Sequence, residues 1–410
     1  MPRPSSPRSD RSVAPPASRS SRRAGGAPRL VLAAGLALLL ARTSAAECDG
    51  FIEWVADPVA RYHAAHRVHP VDDEVRALAA RWLPHLWIHP DSHRPIDFDE
   101  YLAEGSLRSE SGELISEAPD AALLASLSRD EQCATYLEAP ELPAADPAPV
   151  YVQAFRDVGP AAAADAEPDW LYLKYTFVFD WSGLAERRSL LSRLGSLLTG
   201  GRPERWHRLD VHTSAILGLD PQRALRTVTL QQHNNKRSYV AGVDFDPALG
   251  VHVAAARGTN ELYLDDGSSD PQERRAVVGF VAWKHLVSAD FGTTLWQVDT
   301  FTGRNAGGLE VRLRPVFPAP DYPLASFAGL LAPPRRLLGF YVGRDGPPGY
   351  DFTGFPEMPV ATTMGYWHEG DETLLEVLDQ HLDGFRSSNW EAIRAYLATR
   401  LAEALRTGSR

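Results

Sequence analysis

The sequence predicts a mainly β protein: a β-sandwich core with N-terminal helices, an inserted helix and C-terminal helices. Three observations predict it. Residues 170–181, WLYLKYTFVFDW, alternate large side chains over a long run, the period-two pattern of a strand. Strand-like runs recur at residues 209–217, 225–231, 238–243 and 251–256, punctuated by Asp220-Pro221, Asn234-Asn235, Asp246-Pro247 and Gly258. Short strands separated by turn residues at regular spacing are the signature of a sandwich. Helical spacing is confined mainly to the two ends and one internal stretch.

The elements follow in order. Residues 30–41 form a short apolar run behind an arginine- and serine-rich stretch and ahead of Thr43-Ser44-Ala45-Ala46. This is a signal-peptide layout, with cleavage expected after Ala46. The run is shorter than the roughly 20 apolar residues a membrane span needs. An uncleaved signal anchor is the alternative, and Arg22-Arg23 leaves the twin-arginine and general export routes both open. Phe51, Trp54, Val55, Val59 and Tyr62 share one helical face, and Val75, Leu78, Ala79 and Trp82 define a second helix within residues 71–83. A short third helix is expected over 98–107, then a loop-and-helix connection over 118–148. Residues 150–155 open the strands, a helical pattern at 186–198 interrupts them, and further strands are expected at 280–283, 295–298 and 309–313. A proline-rich stretch over 315–359 precedes amphipathic helices over 372–405. The expected organisation is a signal peptide (1–46), a helical and extended segment packed on the core (47–148), the sandwich (149–320), and the proline-rich segment with C-terminal helices (321–410).

Of the 42 basic and 53 acidic residues, eight arginines and one aspartate precede Glu47. The mature chain therefore carries 34 basic against 52 acidic residues, a net charge near −18. Such a body repels nucleic acid and anionic surfaces through its overall field. Export into an oxidising compartment would let the only two cysteines, Cys48 and Cys133, pair across a long loop. Two cysteines make no disulfide scaffold, so the fold must rest on a hydrophobic core, and 44% hydrophobic residues is an ordinary supply.

His85, His89 and His93 lie four residues apart, the spacing of a helical metal face. Pro84 and Pro90 exclude that helix, because proline removes a donor and disfavours the α region for the preceding residue. The segment is expected to be extended instead, with Leu86 and Ile88 on one face and His85, Trp87 and His89 on the other.

Residues 77–107, ALAARWLPHLWIHPDSHRPIDFDEYLAEGSL, resemble the N-terminal signature of the vacuolar protein sorting-associated protein 62 family. Pro84, Leu86, His89, Pro90, Asp91 and Pro95 match; Ser92 stands where an acid is usual. That family is distantly similar to the necrosis- and ethylene-inducing-like proteins, whose central strand carries G-H-x-x-D-W-E. Here WHRLDVHTSAILGLD matches at His207, Arg208 and Asp210, while Val211 and His212 replace the tryptophan and glutamate. TVTLQQHNN places His233 at the next expected histidine. VHVAAARGTNELY matches the following piece at Gly258, Thr259 and Tyr263, with Asn260 in place of its histidine.

The sequence-level candidate site is thus His207, Asp210, His212 and His233. Asp210 and His212 are two apart on an expected strand and would share a face; His207 and His233 would join them from upstream and from the neighbouring strand. Three imidazoles and a carboxylate suit one divalent metal. The family's carboxylates imply Mg²⁺ or Ca²⁺, and His212 shifts the preference toward Zn²⁺. A polar, hydrogen-bonded cluster without metal is the competing expectation. Asn260, Glu261 and Tyr263 are candidate ligand-binding residues. The sequence contains no G-x-S-x-G, H-E-x-x-H, Walker loop or C-x-x-C, which withholds support from the motif-readable hydrolases, kinases and redox folds. The resemblance implies a secreted or cell-envelope protein that binds a glycan or lipid headgroup, with Trp170, Trp181, Trp206, Tyr263 and Trp367 as candidate stacking surfaces. A metal-dependent hydrolase is the alternative, and a structural envelope protein is a third reading.

Overall fold

The computed structural model describes residues 66–68, 70–157, 171–185, 187–188, 205–211, 213–232, 235–277, 296–319, 322–337 and 340–344. The expected signal peptide, the helices expected over 372–405, the strand expected over 280–283, and all but the edges of the helices expected over 51–66 and 186–198 lie outside them.

The described chain is mainly β and is built on two sheets. The larger joins His66–Val68 (β1), Ala148–Asp157 (β6), Leu171–Phe177 (β7), Ser214–Leu219 (β11), Leu225–Gln232 (β12) and Asn235–Val240 (β13) in that order, with Leu313–Val316 (β19) beside β6. From β6 to β13 every neighbour is antiparallel, whereas β19 runs parallel to β6. The smaller sheet has the order β15-β14-β2-β18, formed by Leu262–Leu264, His252–Ala255, His85–Ile88 and Leu309–Val311. Smaller pairings surround them: Ser106–Ser109 (β3) between Leu114–Glu117 (β4) and Thr135–Glu138 (β5), and Phe179–Ser182 (β8) against His207–Asp210 (β10). Trp296–Phe301 (β17) lies between Gln272–Val277 (β16) and Arg187–Arg188 (β9), and Pro334–Leu337 (β20) pairs with Phe340–Arg344 (β21).

The core follows the strand period. Val150 and Val152, Leu171, Leu173 and Tyr175, and Ala215, Leu217 and Leu219 face inward from the large sheet and meet Leu86, Ile88, Val253, Ala255 and Leu262 of the small one. Alternate positions on consecutive strands share a face, so this set is what a two-sheet sandwich requires. Helix α1 (Asp73–Arg81) adds Val75, Leu78 and Ala79 to the same core. Asp72 caps it by accepting from the Val75 N–H at 2.9 Å, and Asp73 and Glu74 complement the N-terminal end of its dipole. A second core lies where Phe98–Ala103 (α2) and β3 and β5 pack: Phe98, Tyr101, Leu102, Leu107 and Leu137 meet Tyr151, Val178 and Leu209. Tyr151 therefore turns to the opposite face from its neighbours Val150 and Val152.

The extended reading of residues 85–89 holds. Leu86 and Ile88 are fully buried in β2 and His85 is exposed. This strand is central in the small sheet, parallel to β14 and antiparallel to β18, so the 47–148 segment contributes to the sandwich itself. Its tight packing makes a modest truncation measurable: Ile88→Val is expected to lower the urea unfolding midpoint by an amount equivalent to about 0.5–1.5 kcal/mol.

Three expectations are corrected. The third helix ends at Ala103, and residues 106–109 form β3 instead of its last turn, because Leu107 is buried between two antiparallel partners. Within the span expected as the inserted helix, Arg187–Arg188 is a strand that pairs with β17. Residues 209–217 are not one strand. The chain pairs with β8 through Asp210, leaves that ribbon, and enters the large sheet at Ser214. Leu209 sits at φ 50°, a left-handed conformation costly for a branched side chain, while its side chain is fully buried.

Candidate functional site

Asp210 lies at the end of β10, fully buried, paired across the ribbon with Phe179. The turn between β14 and β15 comes to it. Gly258 at φ 87° and Asn260 at φ 61° let this turn reverse tightly, and they are residue types that enter the left-handed region at low cost. The Asn260 amide donates to Asp210 Oδ2 at 3.1 Å and to the Trp181 carbonyl at 2.8 Å. Ser182 Oγ donates to the Thr259 carbonyl at 3.1 Å, and the Gly183 N–H bonds the Gly258 carbonyl. The turn is thereby pinned to β8 and β10.

Its other side is pinned to β17. Asp299, fully buried, accepts from Thr259 Oγ1 at 3.0 Å and from the Tyr263 hydroxyl at 2.6 Å. The Tyr263 ring stacks on Phe301 with centroids 4.7 Å apart. Burial, and then the Asp299 charge, hold the Tyr263 hydroxyl well above the usual phenol range, so it remains a donor. Adjacent residues 259 and 260 thus bond two different buried carboxylates.

Beside this cluster runs a ladder of cations and rings. Arg208 is 5% exposed and meets Asp180 at 2.9 and 3.1 Å; it also bonds the carbonyls of Ala139 and Pro140. Its guanidinium lies 4.8 Å from the Trp181 ring centroid and 5.6 Å from that of Tyr101. Arg205 lies over the same Trp181 ring at 5.3 Å and holds Glu141 through two bonds. Desolvation pushes the Asp180 carboxyl up to about 6 against the opposing pull of Arg208.

The chain matches no protein-family model, no curated protein and no solved structure.

Of the residues singled out from sequence, Asp210, Asn260, Glu261 and Tyr263 are all buried, and the structure joins Asp210 to Asn260 directly. His212 and His233 lie outside the described residues, as do Cys48, Trp170 and Trp367; of His207 the backbone alone is described. Cys133 takes part in a disulfide. β10 ends at Asp210, so the described strand does not reach the position expected to share its face. Among the described residues no three His, Cys, Asp or Glu side chains converge at metal-ligand spacing. The described part of the candidate metal set is therefore one carboxylate, with one oxygen already held by Asn260. Asp299, Asp180 and Ser182 escaped the sequence reading; a lone acid inside an alternating strand, as in WQVDTF, was the available signal.

Proposed function

We propose that this protein is a secreted or envelope β-sandwich binding protein that takes a glycan or lipid headgroup at the loop end built on β8, β10 and the β14–β15 turn. The observation that supports this reading most is the ladder beside that turn. Trp181 and Trp206 are half-buried, two guanidinium groups lie over the Trp181 ring, and the Arg205–Glu141 pair remains partly open to solvent. Flat rings with adjacent cations and carboxylates stack on sugar rings and bond hydroxyls or headgroup oxygens. The Asp210–Asn260 and Asp299–Tyr263 bonds then serve to hold the turn rigid, which lowers the entropic cost of binding.

Burial favours binding over hydrolysis. A general base must come within hydrogen-bond reach of its substrate, yet Asp210 is 0% and Glu261 3% exposed. The test is an array of glycans and lipid headgroups probed with the mature protein. Wild type is expected to retain a member of one class, and Trp206→Ala is expected to weaken that binding about tenfold or more, as the loss of an aromatic anchor worth about 2 kcal/mol implies. Retention of no glycan and no headgroup sinks the reading. Stoichiometric Zn²⁺, Mg²⁺ or Ca²⁺ in the purified protein, lost together with a hydrolytic activity in His212→Ala, would favour the metal-dependent hydrolase instead. No described helix is long and apolar enough to cross a membrane.

A further inference from the structure

The β14–β15 hairpin is tied at its base by a histidine whose two ring nitrogens are both engaged. His252 of β14 and His85 of β2 are direct partners on adjacent parallel strands. Their rings stack with centroids 4.4 Å apart and planes 11° from parallel. His252 Nδ1 lies 3.2 Å from the Trp87 indole N–H, and Nε2 lies 3.0 Å from the Leu249 carbonyl. An indole N–H only donates and a carbonyl only accepts. These partners select the neutral ring with its proton on Nε2, because a second proton on Nδ1 would face the Trp87 N–H donor to donor.

The charges around the ring come from every neighbouring element. Burial opposes the imidazolium most, and His85 from β2 and Arg304 from the turn after β17 oppose it further. The Leu249 carbonyl and Asp265, which follows β15, favour it. Glu310 of β18 lies on His85 at 2.7 Å. The balance holds His252 below the usual imidazole range.

We propose that His252 is an acid-sensitive latch: its protonation breaks the Trp87 bond and loosens the β14–β15 hairpin, whose turn docks on Asp210 and Asp299. The sign follows from linkage. A histidine that is harder to protonate in the folded state contributes stability that is fully present above its unfolded value near 6.5 and is lost as pH falls through that value toward the folded one. The loss is concentrated where Trp87, His85 and His252 hold β2 to β14. The latch stands independently of what binds at the loop end.

The experiment is hydrogen exchange of the full mature chain at about pH 7.5 and about pH 5, corrected for intrinsic rates. Amides of residues 252–264 are expected to exchange several-fold faster at the lower pH. His252→Gln, whose amide can both accept from Trp87 and donate to Leu249, is expected to remove most of that acceleration. Equal acceleration in both proteins, or none in wild type, overturns the proposal. Imidazole nitrogen resonances of wild type and Trp87→Phe keep it testable if His252→Gln does not fold. Wild-type His252 is expected as the neutral Nε2–H tautomer, and its titration midpoint is expected to rise in Trp87→Phe. An Nδ1–H tautomer, or a midpoint indifferent to Trp87→Phe, also overturns it.

Discussion

Arg208→Met is expected to destabilise the protein by about 3–5 kcal/mol near neutral pH, read as a lower urea midpoint at unchanged slope. The guanidinium is almost fully buried, and Asp180 beside it is 4% exposed. Removing the cation leaves Asp180 as an uncompensated buried charge, and the carbonyls of Ala139 and Pro140 lose a donor. The pH dependence identifies which loss dominates. Asp180 is already raised to about 6, so in the folded protein it takes up a proton more readily than in the unfolded chain. Its stabilising contribution is fully present below the unfolded value near 3.9 and is lost as pH rises through the folded value. Without Arg208 the folded value rises further and ionisation costs more. The variant's deficit relative to wild type should therefore be largest at about pH 7.5 and shrink toward about pH 5, where Asp180 becomes neutral. Adding Asp180→Asn should recover most of the loss near neutral pH and leave the share due to the two carbonyls. A deficit that does not change with pH would mean that packing against Trp181 and Tyr101, rather than charge, is what Arg208 supplies.

The sandwich was legible where local chemistry and burial agree. Period-two alternation placed β7, whose alternate residues Leu171, Leu173 and Tyr175 enter one core together with Val150 and Val152 of β6. Pro84 and Pro90 bracket β2 and ruled out the histidine ladder, since a proline acts on its own backbone whatever surrounds it. The break after Asp210 was not legible. Leu209 takes a left-handed conformation that nothing in its residue type announces; the second core holds it there. Asn260 could be found because it sits at a motif position after Gly258, whereas Asp299 lies 39 residues beyond Asn260 and reads as one more polar residue on a strand. Its role exists only once β17 is folded beside the turn. Arg208 was visible as a motif match, but not as a buried partner of Asp180, for the same reason.

Asp299→Ala is expected to cost about 2–6 kcal/mol, the sum of two buried donors stranded at about 1–3 kcal/mol each. Those donors are Thr259 Oγ1 and the Tyr263 hydroxyl, and both point at a carboxylate that excludes solvent. If stranded donors are the cause, replacing them by apolar groups of the same shape should repair the loss. The triple variant Asp299→Ala, Thr259→Val, Tyr263→Phe is then expected to unfold at a higher urea concentration than Asp299→Ala alone. Failure of that repair would assign the cost to the cavity left by the carboxylate instead. The same residue tests how the turn is held. Thr259 reaches Asp299 while the next residue, Asn260, reaches Asp210, so two carboxylates on opposite sides fix one short segment. Releasing either anchor lets the turn shift and weakens the other bond. Asn260→Ala and Asp299→Ala are therefore expected to be less than additive, with a coupling of about 0.5–3 kcal/mol in a double-mutant cycle. Strict additivity would mean that each anchor holds its own residue and that the turn is not positioned as a unit, which would remove the rigidity on which the binding reading depends.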